Sequence, residues 1–168
     1  MVISSTTQSC GTGIITGIVV FVLGNMRSKA KKDIDKEVEQ LTALYEILKR
    51  VYDSVPDKFT RKFSGQKYDY KECVLNTINA AVEYVEAIKK LDFSIKQKFI
   101  RETSINCIEL ANDIDKIKER EFSDDLNYKD AFGVQSEILY ILQDAAECFE
   151  AMLRKAEIQK DQIRKYPF

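Results

Sequence analysis

Apolar residues recur along this chain at helical intervals, three and four apart, and almost nowhere alternate in the strand manner. From Ile34 the series Ile34, Val38, Leu41, Tyr45, Leu48, Tyr52 and Val55 keeps a 4-3-4-3-4-3 spacing, the mark of a heptad seam. A second row, Leu44, Ile47 and Val51, widens the stripe as packing inside a globular bundle requires. This predicts a first helix over about residues 27–54, ended by Pro56, whose ring pushes the preceding residue out of helical geometry.

The same reading gives three more helices. The second, about 70–91, turns Val74, Ile78, Ala81, Val85 and Ile88 inward, with Leu75 and Val82 beside them. The third, about 94–120, is expected to bury Phe99, Ile100, Ile105, Ile108, Ala111 and Ile114, with Asp92 or Ser94 as its cap. An acidic connection over 119–130, in which Ser123-Asp-Asp125 offers a helix start, leads to a long fourth helix over about 128–164. Its seam is Ile138, Leu142, Ala145, Phe149, Met152 and Ala156. Four helices with short connections predict an all-α, up-down four-helix bundle with a long first helix.

Charge changes the picture at the N-terminus. The first 26 residues carry no charged side chain, so all 26 basic and 27 acidic residues lie from Arg27 onward. Within them, residues 13–24 read Gly-Ile-Ile-Thr-Gly-Ile-Val-Val-Phe-Val-Leu-Gly, a strongly apolar run. A spanning helix needs about 20 mainly apolar residues. Residues 11–26 with the uncharged Thr7–Cys10 stretch supply a short one, continuous with the first bundle helix. A cleaved signal peptide carries its positive charge before the apolar run. Here Arg27, Lys29, Lys31 and Lys32 follow it, which favours a retained anchor with the N-terminus outside and the C-terminal bulk cytoplasmic. The expected division is a membrane anchor over 1–26, a single-pass transmembrane helix, and a helical bundle over 27–168.

Gly13 and Gly17 form a G-x-x-x-G pair that lets helix backbones approach closely in lipid. Gly24 continues the seven-residue spacing set by Cys10 and Gly17. With Ile34, Val38 and Leu41 these glycines make a candidate oligomerisation surface.

Composition excludes more than it assigns. The chain has no histidine, which removes Ser-His-Asp and Cys-His nucleophilic systems and histidine-containing zinc sites. Cys10, Cys73, Cys107 and Cys148 stand far apart and read as small helix-packing residues. Asp113 with Asp115 and Asp124 with Asp125 lack a second ligand set and read as solvated surface. No catalytic residue, metal or cofactor is assigned, and no enzyme activity is expected. The signs nearly cancel, at a net charge of −1, so no duplex nucleic acid is expected as a partner.

One segment stands apart. Between Asp57 and Lys71 basic and aromatic residues interleave: Lys58, Phe59, Arg61, Lys62, Phe63, Lys67, Tyr68 and Tyr70. Such side chains can pair with phosphates and stack on bases, while an ordinary loop would use Phe59 and Phe63 to plug the end of the bundle. In the up-down topology this loop falls at the end remote from the anchor. The basic corner Lys89, Lys90, Lys96, Lys98 and Arg101 falls near the bilayer with the C-terminal Arg154, Lys155, Lys160, Arg164 and Lys165.

Three readings follow. The first is a non-enzymatic membrane-anchored protein that oligomerises and binds a partner or signal through its bundle. The second is a membrane effector gated by an anionic or (cyclic) nucleotide ligand at the basic-aromatic loop. Its layout, a short membrane segment plus a helical nucleotide-binding domain, is similar to that of certain CRISPR-associated and related antiviral effectors, a likeness of layout alone. The third is a small accessory subunit of a larger membrane complex.

Overall fold

The computed structural model describes residues 8–55, 69–103 and 105–165, with side chains from Leu23 onward. It is all-α: α1 (Gln8–Asp53), α2 (Tyr70–Lys90), α3 (Phe93–Glu102), α4 (Cys107–Lys118) and α5 (Tyr128–Lys165). α1 runs without a break through the boundary between the charge-free stretch and the bundle, as the continuous register predicts. Its 46 residues make a rod about 69 Å long at 1.5 Å per residue.

Cross-links give the directions. Gln40 of α1 meets Asp92 beyond the end of α2, Arg50 meets Glu83, and Ser54 meets Thr77, so α1 and α2 are antiparallel. Asp35 meets Lys160 while Ser54 meets Gln135, so α1 and α5 are antiparallel too. α2 and α5 therefore run side by side in the same direction. α4 packs on both of them, opposite α1, and α3 packs against α5 beneath the α2–α3 corner.

The core follows the hydrophobic stripes closely. All six seam residues expected on the last helix are buried, and so are the five inward residues of α2. Phe99 of α3 stacks on Phe149 of α5 with ring centroids 4.3 Å apart, fixing the short helix against the long one.

Three departures have physical causes. On α1 the buried row is Leu41, Leu44, Leu48 and Val51, while Tyr45 and Tyr52 are exposed at 42% and 47%. The column Ile34–Leu41–Leu48–Val55 was placed correctly, but its companion is the Leu44–Val51 side, because α1 must face α2 and α5 at once. The third helix is two helices. Thr103 takes extended geometry and its hydroxyl donates to the Phe99 carbonyl. Asn106 then starts α4 by accepting the Ile108 N–H at its side chain. The break rotates the inward face to Leu110, Ala111, Ile114 and Ile117, so Ile100 and Ile108, expected inside, stand 53% and 68% exposed. Last, Asp92 occupies the cap position of α3 without capping it. Its carboxylate goes to Lys36 instead. Ser123 lies in a turn ahead of α5, whose start is held by Asn127 accepting from the Asp130 N–H.

Two polar features sit inside the bundle. Thr77 and Gln135 are buried, and the Gln135 amide donates to the Thr77 hydroxyl at 3.0 Å and to the Ser54 carbonyl. The Thr77 hydroxyl passes its own proton to the Cys73 carbonyl. One knot thus joins α1, α2 and α5. Tyr84, by contrast, is fully buried with no partner for its hydroxyl among the described residues.

These two features predict opposite responses. Gln135→Leu removes the donor to Thr77 and to the Ser54 carbonyl and should lower stability by about 1–3 kcal/mol. Tyr84→Phe removes a desolvated hydroxyl that gains nothing in return and should raise stability by about 1 kcal/mol. Thermal or denaturant unfolding of both variants beside wild type checks the pair. Loss of stability in Tyr84→Phe would mean that the hydroxyl has a partner after all.

Candidate functional site

The described structure concentrates its interhelical charge where α1 leaves the bundle. Three successive residues of α1 reach three different elements. Asp35 takes Lys160 of α5 at 3.0 Å, Lys36 takes Asp92 at the α2–α3 corner at 2.7 Å, and Glu37 takes Lys98 of α3 at 2.6 Å. Consecutive helix residues project about 100° apart, so the three pairs fan around α1 as a collar. Gln40 adds a neutral contact by accepting the Asp92 N–H, and Glu102 with Lys155 ties α3 to α5 beside it.

The collar shifts its own carboxyls. The hydrogen bond from Lys160 holds Asp35 below the ordinary carboxylate range, and Lys36 followed by Gln40 does the same for Asp92. At the far end of the bundle, Lys71 lowers Asp124 and Arg120 lowers Glu137.

This geometry revises the basic corner expected to face a bilayer. Lys98, Lys155 and Lys160 are committed to carboxylates, Lys89 pairs with Glu86, and Lys96 donates to the Lys89 carbonyl. Lys29, Lys32, Lys90 and Arg101 are exposed and form no ion pair among the described residues.

On the N-terminal side of the collar, Leu23 and Met26 stand 59% and 65% exposed. Of the expected oligomerisation residues, Leu41 is taken up by the bundle's own core, Ile34 and Val38 are half-buried, and Gly24 is exposed with open space around its Cα. The side chains at Gly13 and Gly17 lie outside the described residues. Among the described residues no helix is long and apolar enough to cross a membrane.

The described part of the basic-aromatic segment, Tyr70 and Lys71, lies at the opposite end of the bundle. Lys58, Phe59, Arg61, Lys62, Phe63, Lys67 and Tyr68 lie outside the described residues. Tyr70 is described: it opens α2, capped by Asp69, and its ring lies 6.1 Å from that of Tyr128, which in turn lies 5.7 Å from Phe132. Phe132 is 46% exposed, so this aromatic row reaches the surface. Asp124 of the acidic connection pairs with Lys71 there, as the topology places it.

The described cysteines, Cys73, Cys107 and Cys148, are half-buried on helices. Asp113 is taken by Lys116. Among the described residues no group of three acidic or cysteine side chains is arranged to hold a metal.

Sequence reading missed the collar, although its parts were visible. Asp35-Lys36-Glu37 is an unbroken acid-base-acid triplet inside the charge-dense run 27–39, where alternating charge reads as a solvated helix face and does not mark the interhelical pairs. No protein-family model, curated protein or solved structure matches this chain.

The collar makes a pH prediction with a definite sign. A carboxyl whose folded pKa is lowered stabilises the fold above its unfolded value, here 3.8 for Asp35 and Asp92, and that contribution is lost as pH falls through the folded pKa. Melting temperature should hold from neutral pH down to about pH 5 and drop below about pH 4. Asp35→Asn with Asp92→Asn should shallow that acid slope. An unchanged slope would assign the acid loss to other carboxyls.

Proposed function

We propose that this chain is a membrane-anchored, non-enzymatic helical protein. Its charge-free N-terminal stretch is a single-pass span, and its bundle lies in the cytoplasm, where it self-associates and engages a partner. The observation that carries the reading is the continuity of α1: one helix leads from the uncharged stretch, past the exposed Leu23 and Met26, through the collar and into the core. An apolar segment joined to a bundle by an unbroken helix is held at a fixed orientation, which suits an anchor better than a cleaved leader. The basic steps Arg27, Lys29, Lys31 and Lys32 at the edge of that stretch support the cytoplasmic side for the bundle. Partner contact is assigned to the far end, where Tyr70, Tyr128 and Phe132 bring an aromatic row to the surface.

Cell fractionation tests the anchor. The full-length protein should pellet with membranes, with Cys10 accessible from outside and Cys148 only after the cytoplasmic face is opened. Recovery in the soluble fraction overturns the anchor, and a mature chain beginning after Gly24 replaces it with a cleaved signal. Gly17→Ile, which obstructs close helix approach, and Val38→Lys, which charges the exit of α1 from the bundle, should each lower the oligomer mass in detergent. Wild-type mass in both would make the protein a single-copy member of a larger complex.

The ligand-gated reading is favoured by one feature: the same α1 that carries the uncharged stretch ends at Asp53, three residues before the basic-aromatic segment's Pro56 boundary. A ligand bound at that segment would act on the helix that reaches the membrane. If an anionic or nucleotide ligand binds there, Arg61→Ala with Lys62→Ala should weaken binding at least about tenfold, since each charge-assisted bond is worth about 1.5–3 kcal/mol. The melting temperature should barely move. Titration of the wild type against cyclic and linear nucleotides decides it, and absence of binding removes this reading.

A further inference from the structure

The break between α3 and α4 opens a cavity of about 580 Å³, within the range of small-molecule sites. Ile88, Ile100, Ile105 and Ile108 supply apolar walls, with Cys107 on the wall and Lys96 at the rim. Two of these isoleucines, Ile100 and Ile108, are the residues that the helix break turns out of the core, so the cavity leaves apolar surface open to water. Exposed isoleucines flanking a cavity give an apolar occupant surface to bury.

The rim decides the charge of that occupant. Lys89 is held by Glu86 and feels Asp115, so its charge is already answered. Lys96 donates a hydrogen bond to the Lys89 carbonyl, feels the Asp92 carboxylate at longer range and forms no ion pair among the described residues. Its ammonium keeps donors for a second acceptor, and its field reaches Cys107 on the wall. Asn106, whose side chain caps the Ile108 N–H at the start of α4, also lines the cavity.

Position narrows the source. The cavity sits at the level of the α2–α3 corner, which meets α1 at Gln40. From there α1 rises about 21 Å to Met26, so a lipid still seated in a bilayer around the N-terminal stretch does not reach it.

We propose that this cavity is a binding site for a free long-chain carboxylate, its chain along Ile88, Ile100, Ile105 and Ile108 and its head on Lys96. The site goes beyond the anchor reading; only the choice of a free carboxylate over a bilayer lipid rests on that reading.

Cys107 reports occupancy directly. The full-length chain is held in phosphatidylcholine nanodiscs if it fractionates with membranes and in buffer if it does not, so failure of the anchor reading leaves this test standing. Alkylation of each cysteine is followed by peptide mass spectrometry as oleate is added. Oleate should slow alkylation of Cys107 several-fold and saturably, while Cys73 and Cys148, which do not line the cavity, keep their rates. Lys96→Gln retains a donor for the Lys89 carbonyl but loses the charge, and should raise the half-protecting concentration about tenfold. Ile108→Asp, at a position already 68% exposed, should abolish protection with the melting temperature intact. No protection of Cys107, equal slowing of Cys73, Cys107 and Cys148, or equal protection by oleyl alcohol each overturns the proposal.

Discussion

The register of three helices depends on one buried side chain. Gln135 projects from α5 between α1 and α2, and its amide is satisfied only where the Thr77 hydroxyl and the Ser54 carbonyl arrive together. Apolar stripes alone tolerate sliding, because a leucine one turn along fills a similar space. A buried amide does not, since a displaced helix leaves its donors desolvated and unbonded. The knot sits at the far end of the bundle and the collar at the other, so α1 is located at two levels. Between them the contacts are almost wholly apolar, from Leu41 to Val51 on α1 and from Ile138 to Met152 on α5.

Much of this architecture was legible in the sequence because the long helices are strongly periodic. On α5 six successive seam positions were readable, and each is buried, since a helix flanked by partners on one broad side repeats its pattern cleanly. α1 was harder. It touches α2 and α5 across a wide arc, and tyrosines at 45 and 52 mimic a core column while their hydroxyl ends stay in water. The split of the third helix was missed because no glycine or proline marks it. Its signal is subtler: Asn106 followed by Glu109 has the spacing of a helix start, and the β-branched Thr103 just before it bonds back to Phe99.

The site was legible only in part. Charge-free residues and a basic border are properties of composition and can be read at once. Which lysines remain available is a property of folding, as Lys98, Lys155 and Lys160 show by finding acids 61, 53 and 125 positions away in the chain. The isoleucines of the α3–α4 break illustrate the same limit from the apolar side. Their spacing announces burial, and a kink that spacing does not encode turns them outward.

The fan of Asp35, Lys36 and Glu37 has a mechanical meaning. Because the three pairs leave α1 in directions about 100° apart, a tilt of the rod toward any side stretches at least one of them. The joint between rod and bundle therefore resists bending in every direction, as a three-legged brace does. The legs lie at or near the surface, where such pairs are weak and screened over about 10 Å at 0.1 M salt. Raising ionic strength therefore slackens the brace leg by leg, while the apolar packing of α1 beneath it, from Leu41 to Val51, is left untouched.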